Sequence, residues 1–238
     1  MKKIGFFGDS FCALEETPHS EENGYESYIR QVRKHYNCDI IHFGEFGSGI
    51  WDLYISQITP FINRNEYPDV SIFLWSSPGR IFHRTVRNIH AGSMLRIKNG
   101  EDLGNKEIWD AAESYFTYLF DDEKDKLEYF AFLQYLDNNV FSKWPADKKI
   151  IHIWSFGLST YTNVNGEEYP IDTVGYPHKW KHGAEIRPPM MWVSSTEKWP
   201  ALSMPNHING QARNKIVADC IIEAIDHYMP GQIFYMNK

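Results

Sequence analysis

Four apolar runs, Lys3–Phe7, Asp39–Phe43, Val70–Trp75 and Lys149–Trp154, are rich in β-branched and aromatic residues, and each is bounded by Gly, Ser or Pro. They are continuous rather than alternating, which is the pattern of strands buried on both faces. Between the first two runs Tyr25, Tyr28, Ile29, Val32 and Tyr36 recur at helical spacing, and Ile50, Leu53, Tyr54 and Ile58 do the same before Pro60. Strands that alternate with helices in this order predict an α/β fold, a parallel sheet covered by helices on both faces. In such a sheet the ligand site lies beyond the carboxyl ends of the strands.

Two regions exceed the minimal alternation. From about 84 to 145 the spacing predicts two helices, one through Ile108, Trp109, Ala112, Tyr115, Phe116 and Leu119, the other through Leu127, Phe130, Leu133, Leu136 and Val140. The charge run "DDEKDK" between them reads as a solvated junction. From about 157 to 200 the chain is rich in Gly, Pro, Tyr and Trp without periodicity, which is long for a structureless connection and reads as a functional loop layer. The expectation is a single domain over 1–238 with a helical insertion and that loop layer, a size that buries a substantial core.

Charge and cysteine usage exclude several classes of partner. The net charge is −7, and the lysines and arginines are scattered rather than gathered into a stripe, so no nucleic acid is expected. Cys12, Cys38 and Cys220 have no CxxC spacing, which favours reduced thiols over a disulfide framework or a zinc site. No run approaches the roughly 18 apolar residues of a membrane span, and no signal peptide precedes Gly8. A cytoplasmic protein without cofactor or membrane partner is expected, and its oligomeric state is left open.

The first strand stops at Gly8-Asp9-Ser10, at the sheet edge where ligands bind. Glycine permits a tight turn there, and a serine on it presents its hydroxyl and its own N–H toward one reacting oxygen. The alternative is a strand-end turn with a capping serine. A nucleophilic hydroxyl needs a base, and "MPNHINGQARNKIVADCIIEAI" supplies His207, beside Asn206, just before an amphipathic stripe of Ile216, Val217, Cys220, Ile221, Ala224 and Ile225.

Gly-Asp-Ser after strand one, together with a histidine introducing the last helix, resembles the SGNH or GDSL hydrolase family. "FGEFGSG" after the second strand resembles that family's glycine block, with Gly47 in the position of an oxyanion-hole glycine. The resemblance implies a three-layer, flavodoxin-like fold and a serine hydrolase that cleaves a carboxylic ester, an O-acetyl group on a carbohydrate being one such substrate. It also implies Ser10 as nucleophile and His207 as base. Two blocks depart from the pattern. Where the family has Gly-x-Asn-Asp after strand three, this chain has "WSSPGR", which leaves Ser77 or Arg80 to act for the asparagine. The family aspartate three residues before the histidine is Met204 here, so an acid would have to come from elsewhere, such as Asp172, Glu185 or Glu197, or the histidine would act without one. A weakened or inactive module with a carbohydrate-binding or structural role is the alternative function.

Other candidates read as structural. His178 and His182 in "PHKWKHG" have a helical metal-ligand spacing, but Pro177 and Gly183 favour a loop surface. Cys12 reads as core. Tyr161, Tyr176, Trp180 and Trp192 could stack on sugar rings at the mouth of the site, although each alone is more simply read as packing the long loop layer.

Overall fold

The computed structural model describes residues 1–15, 21, 23–86, 89–155, 160–162, 168–170, 178–187, 190, 208 and 210–236. Its main sheet has six parallel strands: β1 (Lys3–Phe7), β2 (Asp39–His42), β3 (Val70–Trp75), β4 (Lys149–Trp154), β7 (Ala184–Arg187) and β8 (Ile233–Tyr235). They lie in the order β2-β1-β3-β4-β7-β8. A separate antiparallel pair joins β5 (Thr160–Thr162) to β6 (Glu168–Pro170). The order 2-1-3-4 is that of flavodoxin-like sheets, with the first strand inside and a switch of direction at β1 and β3.

Each central strand is buried on both faces, as its mostly apolar sequence predicts, with Ser71 and His152 buried among the apolar residues of β3 and β4. Ile4, Phe6, Ile72, Leu74, Ile151 and Ile153 face one layer, formed by α1 (Tyr28–Tyr36) and α6 (Gln211–Asp226). The alternate residues Phe7, Phe73, Trp75, Ile150 and Trp154 face the other layer. That layer holds the helical run Ile50–Asp52, Leu53–Ile58 and Thr59–Arg64, here called α2, and α5 (Asp122–Asn139). The period of two in a pleated strand thus yields two cores from one run of apolar residues.

A third cluster forms outside these layers. Val86, Ile89, Met94, Trp109, Ala112 and Phe116 pack α3 (Ala91–Lys98) on α4 (Lys106–Tyr118). The 84–145 region therefore carries three helices where periodicity showed two, because Ala91-Gly92-Ser93 is a weak helix opening and His90 caps it instead, its Nδ1 accepting from Gly92 N. The run 121–126 is no junction either. Asp121 is the N-cap of α5 and accepts from Lys124 N at 2.8 Å, so the acidic residues after it fill the first turn, where the helix dipole favours negative charge. Among the described residues no helix is long and apolar enough to cross a membrane.

Candidate active site

Because every strand of the main sheet is parallel, the segments after β1, β2, β3 and β4 all emerge at one edge. The first is Gly8-Asp9-Ser10. A Cβ on Gly8 would stand 2.5 Å from the carbonyl oxygen of Leu74, so only glycine lets β1 leave the sheet this close to β3. Asp9 then builds the turn. Its carbonyl accepts from Cys12 N at 3.1 Å and its Oδ1 from Phe11 N at 3.1 Å, an Asx turn that leaves Ser10 partly exposed.

The glycine-block loop after β2 is fastened to this turn. Gly44 N donates to Cys12 O at 2.9 Å and Glu45 N to Gly8 O at 3.0 Å, while a Cβ on Gly44 would meet the Cys12 sulfur at 2.5 Å. Gly47 follows with a φ of 74°. Cys12 itself is wholly buried, and burial pushes its thiol well above the usual range, with Asp9 adding to the effect. That is a core thiol rather than a nucleophile.

Gln57, a residue not singled out from the sequence, ties the two loops together. Its Oε1 accepts from Gly8 N at 2.8 Å, and its Nε2 donates to Gly8 O at 2.8 Å and to Ser48 Oγ at 3.1 Å. It sits in the wide π-helical turn Leu53–Ile58, which closes where Thr59 N and Thr59 Oγ1 both donate to Tyr54 O and leads straight into Pro60, a residue with no N–H to offer. Such turns recur at functional sites. The available signal was a wholly buried amide on the apolar stripe of Ile50, Leu53 and Ile58.

The carboxylate of Asp9 is fully buried. Ser155, just after β4, donates to its Oδ1 at 3.0 Å, Ser76 lies beside it, and Oδ2 has no hydrogen-bond partner among the described residues. Burial raises the pKa of Asp9, and the facing cation of Arg80 opposes that rise. Arg80 is brought there by the segment after β3, where Ile81 N pairs with Ile89 O at 2.8 Å. Its Nη1 donates to Ser48 O at 3.4 Å. Burial lowers the guanidinium's pKa, while Asp9, then Tyr129 and Asp52, pull it back up. Ser77 is partly exposed on the same segment, and the carbonyl of its neighbour Ser76 accepts from Tyr129 Oη.

The remaining sequence candidates divide into three groups. His207, Asn206, Met204, Asp172, Glu197, Tyr176 and Trp192 lie outside the described residues, as does the side chain of Tyr161. Glu185 is buried in β7 with its carboxylate engaged, Oε1 by Trp154 Nε1 at 3.2 Å and Arg187 Nε at 2.7 Å, Oε2 by Arg187 Nη2 at 3.0 Å. Trp180 lies in the core rather than at a mouth. It stacks on His152 with ring centroids 3.7 Å apart and on Trp75 at 5.0 Å.

His178 and His182 converge on the carboxylate of Asp137, at 3.7 and 3.0 Å. Among the described residues no group of three His, Cys, Asp or Glu side chains could hold a metal. Burial works against ionising Asp137, but the nearby His178 ring and hydrogen bonds from the Lys181 and His182 amides and the His182 ring outweigh it and hold its pKa at about 2. The folded value lies below the ordinary carboxylate pKa of about 3.9. The stabilisation is therefore complete above that pH and is lost as pH falls through about 2. Asp137→Asn is expected to lower unfolding free energy in urea by about 1.5–3 kcal/mol at pH 7, with the deficit shrinking toward pH 2.

No family model matches the chain, and no curated protein matches it in sequence. A crystal structure of an acetyl xylan esterase is similar over 63% of this chain, at 18% identity and a TM-score of 0.30. The match spans 57% of that esterase's chain, and a likeness so distant says nothing of activity.

Proposed function

We propose that the protein is a serine hydrolase of the SGNH type that cleaves carboxylic esters, with Ser10 as nucleophile and His207 as base. The observation that carries the reading is the Ser10 turn. It is a partly exposed serine at the carboxyl edge of a parallel sheet, held by the Asp9 Asx turn and the Gln57 clamp, with the charge of the buried Arg80 acting on the neighbouring carboxylate. A capping serine in a loop has no need of three separate buried devices around it.

Support for the base comes from the residue that follows it. Ile208 is buried, and its carbonyl accepts from Tyr25 Oη at 3.3 Å and Asn214 Nδ2 at 3.1 Å. Asn214 Oδ1 in turn accepts from Tyr28 N at 2.9 Å, and Tyr28 Oη donates to Phe11 O at 2.6 Å, one residue past Ser10. The chain after position 207 is thus tethered through α1 to the Ser10 turn.

In this mechanism Ser10 Oγ attacks the ester carbonyl carbon as His207 takes its proton. The tetrahedral oxyanion is held by the N–H groups of Ser10 and Gly47 and by a donor from Arg80 or Ser77. The C–O bond to the leaving group breaks, and His207 returns the proton to the departing alkoxide. Water, deprotonated by His207, then cleaves the acyl-serine and regenerates Ser10. The acyl group proposed is acetyl, carried on a carbohydrate.

Incubation of the folded protein with a fluorophosphonate probe, followed by peptide mass spectrometry, tests the assignment. Stoichiometric labelling of Ser10 that is lost on heat denaturation and in Ser10→Ala is the expected result. Native protein that takes up no label ends the hydrolase reading.

A further inference from the structure

A cavity with a mixed lining opens not over Ser10 itself but beside Arg80. It has a volume of about 710 Å³ and runs between the start of α2, the Ser77–Arg80 segment and one face of α5. That volume lies in the range of small-molecule sites, roughly 300–1,000 Å³. Arg80 lines the cavity, and its Nη1 donates to Ser48 O at 3.4 Å, in the loop that Gln57 ties to Gly8. The cavity and the Ser10 turn are therefore joined through Arg80 and that loop.

The lining is aromatic in a particular way. Trp51 and Phe132 lie with ring centroids 4.0 Å apart, Phe132 and Tyr135 are stacked, and Tyr54 meets Phe132 edge-on. These rings fix one another, yet Trp51 remains 45% and Tyr135 47% exposed. Isolated apolar side chains are ordinary on a surface, but a rigid patch of large rings at the rim of a cavity is what a flat apolar ligand face needs.

The polar groups narrow the ligand class. Asp125 and Glu128 enter from α5, and Arg80 from the opposite wall. Asp125 Oδ2 already accepts from Gly79 N, and Glu128 pairs with Lys124 at 2.9 Å. Arg80 is already engaged by Asp9 and Asp52, so Asp125 and Glu128 bring carboxylate acceptors to the cavity, and acceptors beside an aromatic patch suit the hydroxyls of a neutral ligand. A rigid aromatic patch edged with hydrogen-bonding groups matches a sugar ring, which has an apolar C–H face and a polar edge.

We infer that this cavity is a saccharide subsite that holds the carbohydrate portion of the ester on Trp51, Phe132 and Tyr135, with ring hydroxyls bonded to Asp125 and Glu128, and delivers the acyl group past Arg80 to Ser10. The inference rests on the proposed ester hydrolysis for its orientation, but not for its existence, since binding can be measured without turnover.

The test uses full-length Ser10→Ala protein titrated with xylo-, cello-, manno- and chito-oligosaccharides, read by tryptophan fluorescence and calorimetry. Saturable binding of at least one of these sugars is expected, weakened at least 10-fold by Trp51→Ala and by Tyr135→Ala. Circular dichroism and melting temperature establish that each variant is folded. No saturable binding by any of the four sugars overturns the inference, as does binding that neither aromatic variant weakens. Tight binding of choline or tetramethylammonium with none of the sugars would assign the cavity to a cation and overturn it equally. Failure is separable from failure of the hydrolase reading. Ester turnover and Ser10 labelling without sugar binding removes only the subsite, whereas sugar binding without labelling or turnover removes only the hydrolase.

Discussion

Ser10→Ala is expected to slow ester hydrolysis, and the size of the loss reports on the missing acid. In a serine protease with a complete triad, removing the nucleophile costs about 2 × 10⁶ in kcat, whereas removing the acid alone costs about 3 × 10⁴. A catalyst that works with serine and histidine but no acid thus stands only about 10²-fold above its own nucleophile knockout. With Met204 in the family's acid position, and with Glu185 held by Arg187 and Trp154, the expected loss for p-nitrophenyl acetate is about 10²–10³-fold. Asp172→Asn, Glu185→Gln and Glu197→Gln should then each leave the rate within a few-fold of the parent. A 10⁶-fold loss in Ser10→Ala, with a 10³–10⁴-fold loss in one of the three amides, would identify a remote acid instead.

Arg80→Ala is expected to lower kcat for the same ester by about 10²–10³-fold with KM little changed, since loss of one oxyanion donor costs about 2.7–4 kcal/mol of transition-state stabilisation. Arg80→Lys should recover only part of this, because an ammonium keeps the charge but not the planar fork. A second readout follows from Asp9. Its folded pKa is raised, so its ionisation opposes folding, and stability falls as pH rises from the ordinary carboxylate value through the raised one. Removing the opposing guanidinium widens that window upward. Arg80→Ala should therefore be more destabilised at pH 7 than at pH 4, and Asp9→Asn in the same chain should restore stability at pH 7. Turnover unchanged in Arg80→Ala would transfer the donor role to Ser77.

The strands legible in the sequence were those whose runs are mostly apolar, with at most one polar side chain inside the run, His42 in β2, Ser71 in β3 and His152 in β4. β1, β3 and β4 begin and end where the apolar runs do, and β2 is shorter by Phe43 alone. β7 was not legible because Ala184–Arg187 carries a buried glutamate and its arginine partner in the middle of a sheet, a pairing visible only in space. β8 is three residues long, too short to show any period. Pro60 looked like the end of a helix, but the wide turn before it carries the helix on to Arg64.

The same division holds for the site. Ser10, Gly47, Ser77 and Arg80 stand on segments that a parallel sheet brings to one edge, so strand order alone was enough to gather them. The facing of Arg80 and Asp9, and the contact of Gln57 with both sides of Gly8, depend on side-chain direction across 71 and 49 positions of chain. Trp180 shows the converse, where an aromatic residue in a Gly- and Pro-rich stretch read as packing the loop layer, or as stacking at its mouth, and lies instead in the core, stacked on both Trp75 and His152.

The order of the sheet has a consequence for how the protein is made. After β2, strands are added in the order of synthesis and always on the same side, β1 to β3 to β4 and then β7 and β8. The chain leaves the ribosome N-terminus first. Ser155 and Arg80, which act on the Asp9 carboxylate, both come before the end of the segment that follows β4, so the turn of the proposed nucleophile can be completed while the proposed base and α6 are still unsynthesised. The two halves of the proposed site thus come into being at different times. A chain that had emerged as far as Ser155 would carry the Ser10 turn with its sheet edge at β4 still open; β7 later covers that edge, and His207 follows β7.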